Sequence, residues 1–301
     1  NAQPLFLLDF QSPDGVPLAV SPRQLCKRID QTARDMGFLP KTSAEFEFWI
    51  FQETAQTAAD KKYADMDPLT PGMFGYSCTR TSLNSELFEA IFTGMGEFGV
   101  PIEGLHTETG PGVLEAAITY DEMVTAADNA ALFKTGLKEL LGKNDLMVTF
   151  MAKWNAALPG SSGHLHQSLW DLDGTRNLFH DENAELGMSD TFRHYLAGVL
   201  HTLPEFTALY APTINSYRRL VPGMWAPTRA CWAPENRTAS LRTIHGPKPS
   251  STRMEMRVTG ADINPHIAFA ASMAGGLYGI KHKLELPPRL QGNAYEASHE
   301  E

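Results

Sequence analysis

The feature that most constrains this chain is the spacing of polar side chains two residues apart in three short segments. These are residues 44–49 (AEFEFW), 164–168 (HLHQS) and 253–258 (RMEMRV). Successive side chains of a β-strand point to opposite faces, so each segment predicts one polar and one apolar face. The side chains predicted to share the polar faces are Glu45, Glu47, His164, His166, Ser168, Arg253, Glu255 and Arg257. An ordinary strand with one solvated face gives the same pattern, so only the three segments together indicate a site.

Helical periodicity and turn residues separate these strands. Ser21 followed by Pro22 predicts a helix start, and Gly37 predicts its end. Further helices are predicted over 84–98, 121–141, from Ser189 towards Pro204, and over 262–284. Strands are predicted as a pair around the turn at 12–15, and over 44–51, 100–103, 113–120, 147–153 and 164–171. Alternating strands and helices, several of them joined by hairpin-like turns, predict a mixed α/β fold with much antiparallel pairing. The polar segment 55–75 is predicted to be a surface loop.

Charge and cysteine content exclude several classes of protein. The chain of 301 residues has a formal net charge of -10, which argues against general binding of nucleic acid or anionic membranes. Its three cysteines are far apart, which predicts neither a disulfide framework nor a zinc site and fits a reducing cytoplasm. The opening residues lack the basic start of a secretory signal, so we expect a cytoplasmic protein. The weakly charged stretch 264–280 is too short and too rich in small residues for a membrane span, and it predicts a buried helix.

One window departs from the acidic average. Residues 218–257 contain seven arginines and one lysine against two glutamates, a local charge of about +6. Clustered arginines suit a small polyanion such as nucleotide phosphates or a carboxylate, although a solvated basic face would have the same composition.

Carboxylates and imidazoles recur close to these segments. Residues 102–116 (IEGLHTETGPGVLEA) add Glu103, His106, Glu108 and Glu115, and the Gly-Pro-Gly turn can fold Glu115 back beside Glu108. Sites rich in carboxylates with little imidazole suit Mg²⁺ or Mn²⁺ better than zinc. Such metals beside arginines are typical of phosphoryl transfer, and the absence of a Gly-rich phosphate loop leaves the phosphates to metals and side chains.

Several motifs together resemble the glutamine synthetase superfamily. They are AEFEFW, HTETGPGVLE, FMAK with GSSGHLHQSL, NSYRRLVPG with APTR, ENRTASLR, and RMEMR followed by NPH. The resemblance runs from about residue 20 to residue 295 and is closest to type I-like members that act as γ-glutamylpolyamine or γ-glutamylmonoamine ligases. It implies the family's catalytic-domain fold, an α+β arrangement with a curved, largely antiparallel sheet flanked by helices. It also implies that residues 1–20 are the tail of a β-grasp N-terminal domain and that residues 21–301 are the catalytic domain.

The resemblance also implies roles for individual residues. It implies two metal sites, one for the glutamate carboxylate (Glu47, Glu108, Glu115) and one for the ATP γ-phosphate (Glu45, His164, Glu255). Its implied substrate contacts are Gly160 for the amino-acid end, Arg219 for the α-carboxylate, Arg257 near the γ-carboxylate, and Trp225. Its implied nucleotide and phosphate contacts are Glu103, His106, His166, Ser168, Arg237, Arg242 and Arg253, with Arg237 and Arg257 as catalytic groups.

The implied reaction uses ATP and two or three Mg²⁺ or Mn²⁺ ions. Glutamate attacks the γ-phosphate, and an amine then displaces phosphate from γ-glutamyl phosphate. The implied partners are these small molecules and further copies of the chain, in a homo-oligomeric ring with active sites between subunits.

One position departs from the family pattern. Where ammonia-using members carry a glutamate after the VPG motif and an aromatic residue, this chain has Trp225. An indole cannot take a proton from ammonium, but it offers an apolar surface or a cation–π contact to an organic amine. We therefore expect an amine larger than ammonia. The alternatives are an ammonia-using glutamine synthetase, a non-catalytic structural member of the family, and a guanidino kinase, which would not be expected to carry NSYRRLVPG.

Overall fold

A computed structural model describes residues 4–296, and its centre is a sheet of nine strands within that range. The ends of the two predicted domains, residues 1–3 and 297–301, lie outside the described residues. The strands are β1 (Leu39–Phe51), β2 (Ile102–Thr107), β3 (Val113–Ile118), β4 (Asp121–Glu122), β5 (Met147–Thr149), β6 (Gly163–Trp170), β7 (Trp232–Pro234), β8 (Leu241–Ile244) and β9 (Arg253–Met256). Their order is β2-β3-β1-β6-β9-β8-β7, and β4 and β5 also pair with β1. Every named pairing is antiparallel except that of β7 with β8.

Helices flank this sheet. They are α1 (Pro22–Asp35), α2 (Ala55–Asp60), α3 (Cys78–Leu83), α4 (Ser85–Glu97), α5 (Met123–Gly142), α6 (Asp190–Tyr210), α7 (Ile214–Tyr217) and α8 (Pro265–His282), with 3₁₀ turns at Glu185–Gly187 and Pro249–Ser251. Phe46 and Phe48 of β1 are fully buried and pack against Phe133 of α5, with ring centroids 6.3 and 6.0 Å away. The predicted α+β fold with a largely antiparallel sheet is confirmed. Over residues 4–296, none of the helices combines the length and the hydropathy that crossing a membrane would need.

Strand register lines up the polar side chains on the opposite face. Glu45 of β1 is paired with His164 of β6, and Glu47 is paired with Glu115 of β3. Glu255 of β9 is paired with His166 of β6 on one side and with Arg242 of β8 on the other. Polar side chains from five neighbouring strands, β3, β1, β6, β9 and β8, therefore lie on one face of the sheet, as the alternation predicted.

The helix caps follow the predicted signals. The side chain of Ser21 accepts a hydrogen bond from the Gln24 amide and caps α1, with Pro22 at the first helical position. Ser189 caps α6 in the same way. Gly37, with φ of 88°, follows the end of α1 in the left-handed region that glycine adopts at little cost.

Four element predictions were wrong in detail. The strand pair around residues 12–15 is a turn with one isolated bridge, Gln11 to Pro17. Two short strands are marginal when they pair with no other strand, and none of the described strands pairs with these. Helix α6 continues through Pro204 to Tyr210, since its buried side chains on both sides of the proline outweigh one lost hydrogen bond. Segment 55–75 contains α2, with a capping box at Thr54. The strand predicted over 147–153 ends at Thr149, and the chain then turns into the loop that precedes β6.

Candidate active site

A cavity of about 400 Å³ opens on the polar face of the sheet. It gathers twelve of the predicted site residues: Glu45, Glu47, His106, Glu108, Glu115, Gly160, His164, Trp225, Arg237, Arg242, Glu255 and Arg257. A second cavity of about 340 Å³ gathers four others: Glu103, His166, Ser168 and Arg253. Glu45 lines both cavities, so the two are neighbours that meet at this carboxylate. The predicted nucleotide contacts are thus divided, with His106, Arg237 and Arg242 in the first cavity and the rest in the second.

Carboxylates and imidazoles in the first cavity form three overlapping groups that could hold metal ions. Within each group of the described chain the possible ligand atoms lie within 4.8 Å of one another. The groups are Glu47, Glu108 and Glu115; Glu45, His164 and Glu255; and Glu45, His106 and Glu115. The first two are the sets that the family resemblance implied. The third includes His106, which was predicted as a nucleotide contact and which lies 3.1 Å from Glu115 through Nε2.

His164 is in the state that a metal ligand requires. Burial, followed by the charge of Arg257, lowers the pKa of His164 to about 3, so its imidazole is neutral. Its Nδ1 lies 3.3 Å from Oε1 of Glu255, and its buried Nε2 has no hydrogen-bond partner among the described residues. Adjacent ligands on an octahedral ion at ~2.1 Å stand about 3 Å apart, which is close to this spacing.

The carboxylates are crowded in a way that a cation would relieve. Burial, together with the charge of Glu108, raises the pKa of Glu47 to about 7, against the hydrogen bond that its carboxylate accepts from the Ser162 amide at 2.6 Å. Burial, followed by the charge of Glu45, raises the pKa of Glu115 well above its usual range. Buried carboxylates that repel one another need protons or cations. The oxygen-rich donor set with one or two imidazoles fits Mg²⁺ or Mn²⁺.

Three arginines face these carboxylates across the cavity. Arg257 donates through Nη1 to Glu255, and Arg242 donates to the other oxygen of the same carboxylate at 3.0 Å. Arg242 also bonds Glu235 at 2.6 Å. Arg237 is exposed and donates to the Tyr76 hydroxyl at 2.8 Å. The positive charges are therefore held at the edge of the carboxylate groups, where phosphate oxygens would meet both.

Arg219 does not reach the cavity surface. It is 2% exposed, and its terminal nitrogens donate to Ser162 Oγ at 2.8 Å, to the Val258 carbonyl at 3.0 Å and to the Arg257 carbonyl at 3.2 Å. It lies behind Gly160, where an added Cβ would come within 2.8 Å of Arg219 Cγ. Its predicted contact with an α-carboxylate stays a prediction, and it requires exchange of one of these bonds.

Sequence reasoning missed two residues of the site. Tyr76 stacks on His106 with ring centroids 4.8 Å apart, and burial raises its pKa to about 12, so the phenol stays protonated. It stands in a polar, irregular stretch with no periodicity to mark it. Ser162 holds Glu47 through its amide and Arg219 through its hydroxyl. The small residues before His164 were the available signal, since they let backbone approach a ligand closely.

Met224 and Trp225 form the apolar lip of the cavity. Trp225 is 58% exposed and has φ of 58°, a left-handed conformation that is costly for a bulky residue. It also lines an outer groove with Arg237, Asn236 and Leu290, so it stands between the cavity and that groove.

Comparisons with known proteins agree with this geometry. The glutamine synthetase catalytic-domain profile matches residues 19–301. The chain is 48% identical over 97% of its length to type-1 glutamine synthetase 2 of Dictyostelium discoideum, and it spans 56% of that protein. It is 41% identical to a γ-glutamylethanolamide synthetase of Streptomyces coelicolor, over 96% of this chain and 61% of that one. It is 37% identical to a glutamate–isopropylamine ligase of a Pseudomonas species, over 98% and 64%.

A solved structure has the same fold. Ligand-free GmaS superposes with a TM-score of 0.81 at 27% sequence identity, covering 94% of this chain and 63% of that chain. The chain therefore spans somewhat under two thirds of the length of the relatives it matches.

Proposed function

The chain belongs to the glutamine synthetase family, and on that basis we propose that its protein is an ATP-dependent ligase that joins the γ-carboxylate of glutamate to an amine larger than ammonia. The observation that carries this proposal is the set of three overlapping ligand groups, in which Glu45 and Glu115 each belong to two. Three arginines line the same cavity: Arg237, Arg242 and Arg257. Such a site can collect several anions that would otherwise repel one another. Phosphoryl transfer from ATP to a carboxylate requires this.

The divalent ions would be held by the three groups and would neutralise phosphate and carboxylate oxygens. The protein's own residues would do the rest. Arg257 and Arg242, anchored on Glu255, would hold oxygens of the transferred phosphoryl group as glutamate attacks it. The cavity that contains His166, Ser168 and Arg253 would hold the remainder of the nucleotide, next to the ions at Glu45. Catalysis would then rest on positioning and on electrostatic stabilisation.

The choice of a larger amine rests on the lip of the cavity. Met224 and Trp225 provide apolar surface beside the carboxylates, and Trp225 carries no group that could take a proton from ammonium. An alkyl chain could lie along the indole and extend into the outer groove. The names of two relatives, a γ-glutamylethanolamide synthetase and a glutamate–isopropylamine ligase, point to the same class of second substrate.

We also propose a ring-like homo-oligomer in which residues 1–20 contact further protein. The described part of this segment exposes apolar side chains, with Phe6 73%, Leu8 81% and Val20 87% exposed. Contiguous exposed apolar residues mark interaction surfaces in soluble proteins.

A panel of amines tests the proposal on the full-length protein. Ethanolamine, isopropylamine, putrescine and ammonia are each supplied with glutamate, ATP and Mg²⁺, and both ADP release and the γ-glutamyl product are measured. We expect an organic amine to give the highest kcat/KM, and ADP release to require glutamate.

Two outcomes of the panel would contradict the proposal in different ways. Highest turnover with ammonia would make the protein a glutamine synthetase, as the name of its 48% identical relative suggests. Phosphoryl transfer without glutamate would place it outside amide ligation altogether.

A further inference from the structure

One wall of the cavity is a loop that joins β5 to β6. Its inner residues Pro159, Gly160 and Ser162 line the cavity. The loop is closed at its base, where the Ser161 amide donates to the Ala152 carbonyl at 2.9 Å. Between these two points the chain makes an excursion of eight residues, 153–160, which has no regular secondary structure to hold its shape.

Lys153 fastens this excursion from inside. The residue is 6% exposed, and its ammonium donates to the Leu158 carbonyl at 2.5 Å, across the loop. Its backbone is clamped on both sides by Asn215 of α7, which accepts from the Lys153 amide at 3.0 Å and donates to its carbonyl at 2.7 Å. The loop conformation therefore depends on one buried ammonium and one amide side chain.

The loop is also packed against the fold at three further positions. Trp154 and Leu158 pack against the buried cluster of Trp49, Phe51 and Val113. At Gly160 an added Cβ would come within 2.5 Å of the Ala152 carbonyl oxygen. A change at Lys153 would thus be transmitted to the backbone between Leu158 and Gly160.

A lysine at this position has no evident advantage for stability. Burial, and then the charge of Arg219, lowers the pKa of Lys153, because two buried cations lie near each other. A methionine would fill the same space without a charge. The buried ammonium carries a desolvation cost, which its hydrogen bond to the Leu158 carbonyl offsets in part.

We propose that Lys153 is a positioning residue for the amino-acid substrate, holding the loop so that the backbone of residues 159–162 presents its polar groups to the cavity. The inference rests on the proposed function and on the contact that the family resemblance implies between Gly160 and the amino-acid end of glutamate. Lys153 itself touches no substrate. It acts through the Leu158 carbonyl and the Gly160 backbone.

The variant Lys153→Met tests this, with Lys134→Met as the matched control. Lys134 is another largely enclosed lysine that donates to a backbone carbonyl, that of Ile263 at 2.7 Å, but it lies over Phe46 on the apolar side of the sheet. In full-length protein we expect Lys153→Met to raise the KM for glutamate about tenfold, with the KM for ATP unchanged. Lys134→Met should leave both KM values unchanged.

Hydrogen exchange supplies a readout that needs no turnover. We expect faster amide exchange over residues 154–161 in Lys153→Met and not in Lys134→Met. Unchanged exchange over the loop, or faster exchange with an unchanged KM for glutamate, would overturn the role of Lys153. If the parent protein shows no glutamate-dependent ADP release, the proposed function fails and the role in substrate positioning fails with it, whereas the exchange result still reports whether Lys153 holds the loop.

Discussion

Trp225 stands where the family resemblance predicts a glutamate in ammonia-using members, and its replacement tests this departure directly. Trp225→Glu restores a carboxylate to the lip and removes the indole surface. We expect the ratio of kcat/KM for ammonia to that for the preferred organic amine to rise about tenfold or more, which corresponds to the loss of one apolar contact and the gain of one charged one. Steady-state kinetics with both amines measure it.

The matched control is Trp225→Phe, which keeps an aromatic face. Both variants place a non-glycine residue at φ of 58°, so the backbone cost is shared and does not bias the comparison. If the two variants shift the ratio equally, the carboxylate is irrelevant and the lip does not select the amine by its chemistry.

Apart from the family resemblance, the sequence predicts which face a side chain lies on only where that residue lies in a segment with regular strand or helix periodicity. Glu45, Glu47 and Glu255 lie in strands, and strand alternation alone places them on one face. Tyr76 lies in an irregular stretch, so nothing local indicates that it stacks on His106. The enclosure of Arg219 was also out of reach, because it depends on carbonyls of residues 257 and 258, which come from a distant part of the chain.

At the scale of elements, Asp128 of α5 joins three helices. It accepts two hydrogen bonds from Arg23 of α1, at 2.8 and 2.7 Å, and it lies 2.8 Å from Nε2 of His266 of α8. Arg23 also bonds Asp9 at 2.6 Å, which ties the segment before α1 to the same network. Burial alone would raise the pKa of Asp128, but the hydrogen bonds from Arg23 and His266 lower it to about 2.

This lowered pKa has a defined effect on stability. Because the folded-state pKa lies below the ordinary value of 3.8, ionised Asp128 stabilises the fold above that value, and the contribution is lost as pH falls from 3.8 towards 2. We expect Asp128→Asn to lower the free energy of unfolding by about 1 to 2 kcal/mol at pH 7, after allowance for screening at this partly exposed site. Urea unfolding at several pH values measures the difference.

The difference in free energy of unfolding between the parent and Asp128→Asn should narrow as the pH falls from 3.8 towards 2. The control is Asp173→Asn, at an exposed turn, which should have the same free energy of unfolding as the parent at every pH. A difference that stays constant from pH 7 to the acid limit would contradict the ionic role of Asp128. Loss of stability without any pH dependence would indicate packing instead.

The ends of helices and strands could be predicted from the sequence where a local signal determines them. They could not be predicted where tertiary contacts determine them. Ser21 and Ser189 cap their helices through bonds to their own next turn, so the sequence suffices. Helix α6 passes through Pro204 because residues beyond it, including Tyr210, are buried against the rest of the fold. The turn at residues 12–15 fails to extend into a hairpin for the converse reason, since no strand of residues 4–296 pairs with it.

At the scale of the whole molecule, the sheet concentrates acidic side chains on one face of a chain that is already acidic. The three ligand groups overlap, with Glu45 and Glu115 each belonging to two of them. Because the groups share ligands, substitution of a shared carboxylate affects two metal sites, and substitution of an unshared one affects a single site. Glu45→Gln removes a ligand from two groups, whereas Glu47→Gln removes a ligand from only one.

We therefore expect Mn²⁺ titration of the metal-free protein to distinguish the two variants. The parent should bind two or three ions. Affinity for Mn²⁺ should fall about tenfold or more at one site in Glu47→Gln and at two sites in Glu45→Gln. Mn²⁺ or Mg²⁺ should also raise the thermal midpoint of unfolding of the parent, since ions that bind only the folded state stabilise it, and chelation should reverse this.

Glu53→Gln is the control. Glu53 is a buried carboxylate beyond the end of β1 that bonds Lys61 and takes part in none of the three groups. Equal stoichiometry in Glu45→Gln and Glu47→Gln would mean that the groups do not share ligands, and loss of an ion in Glu53→Gln would place the metal site elsewhere.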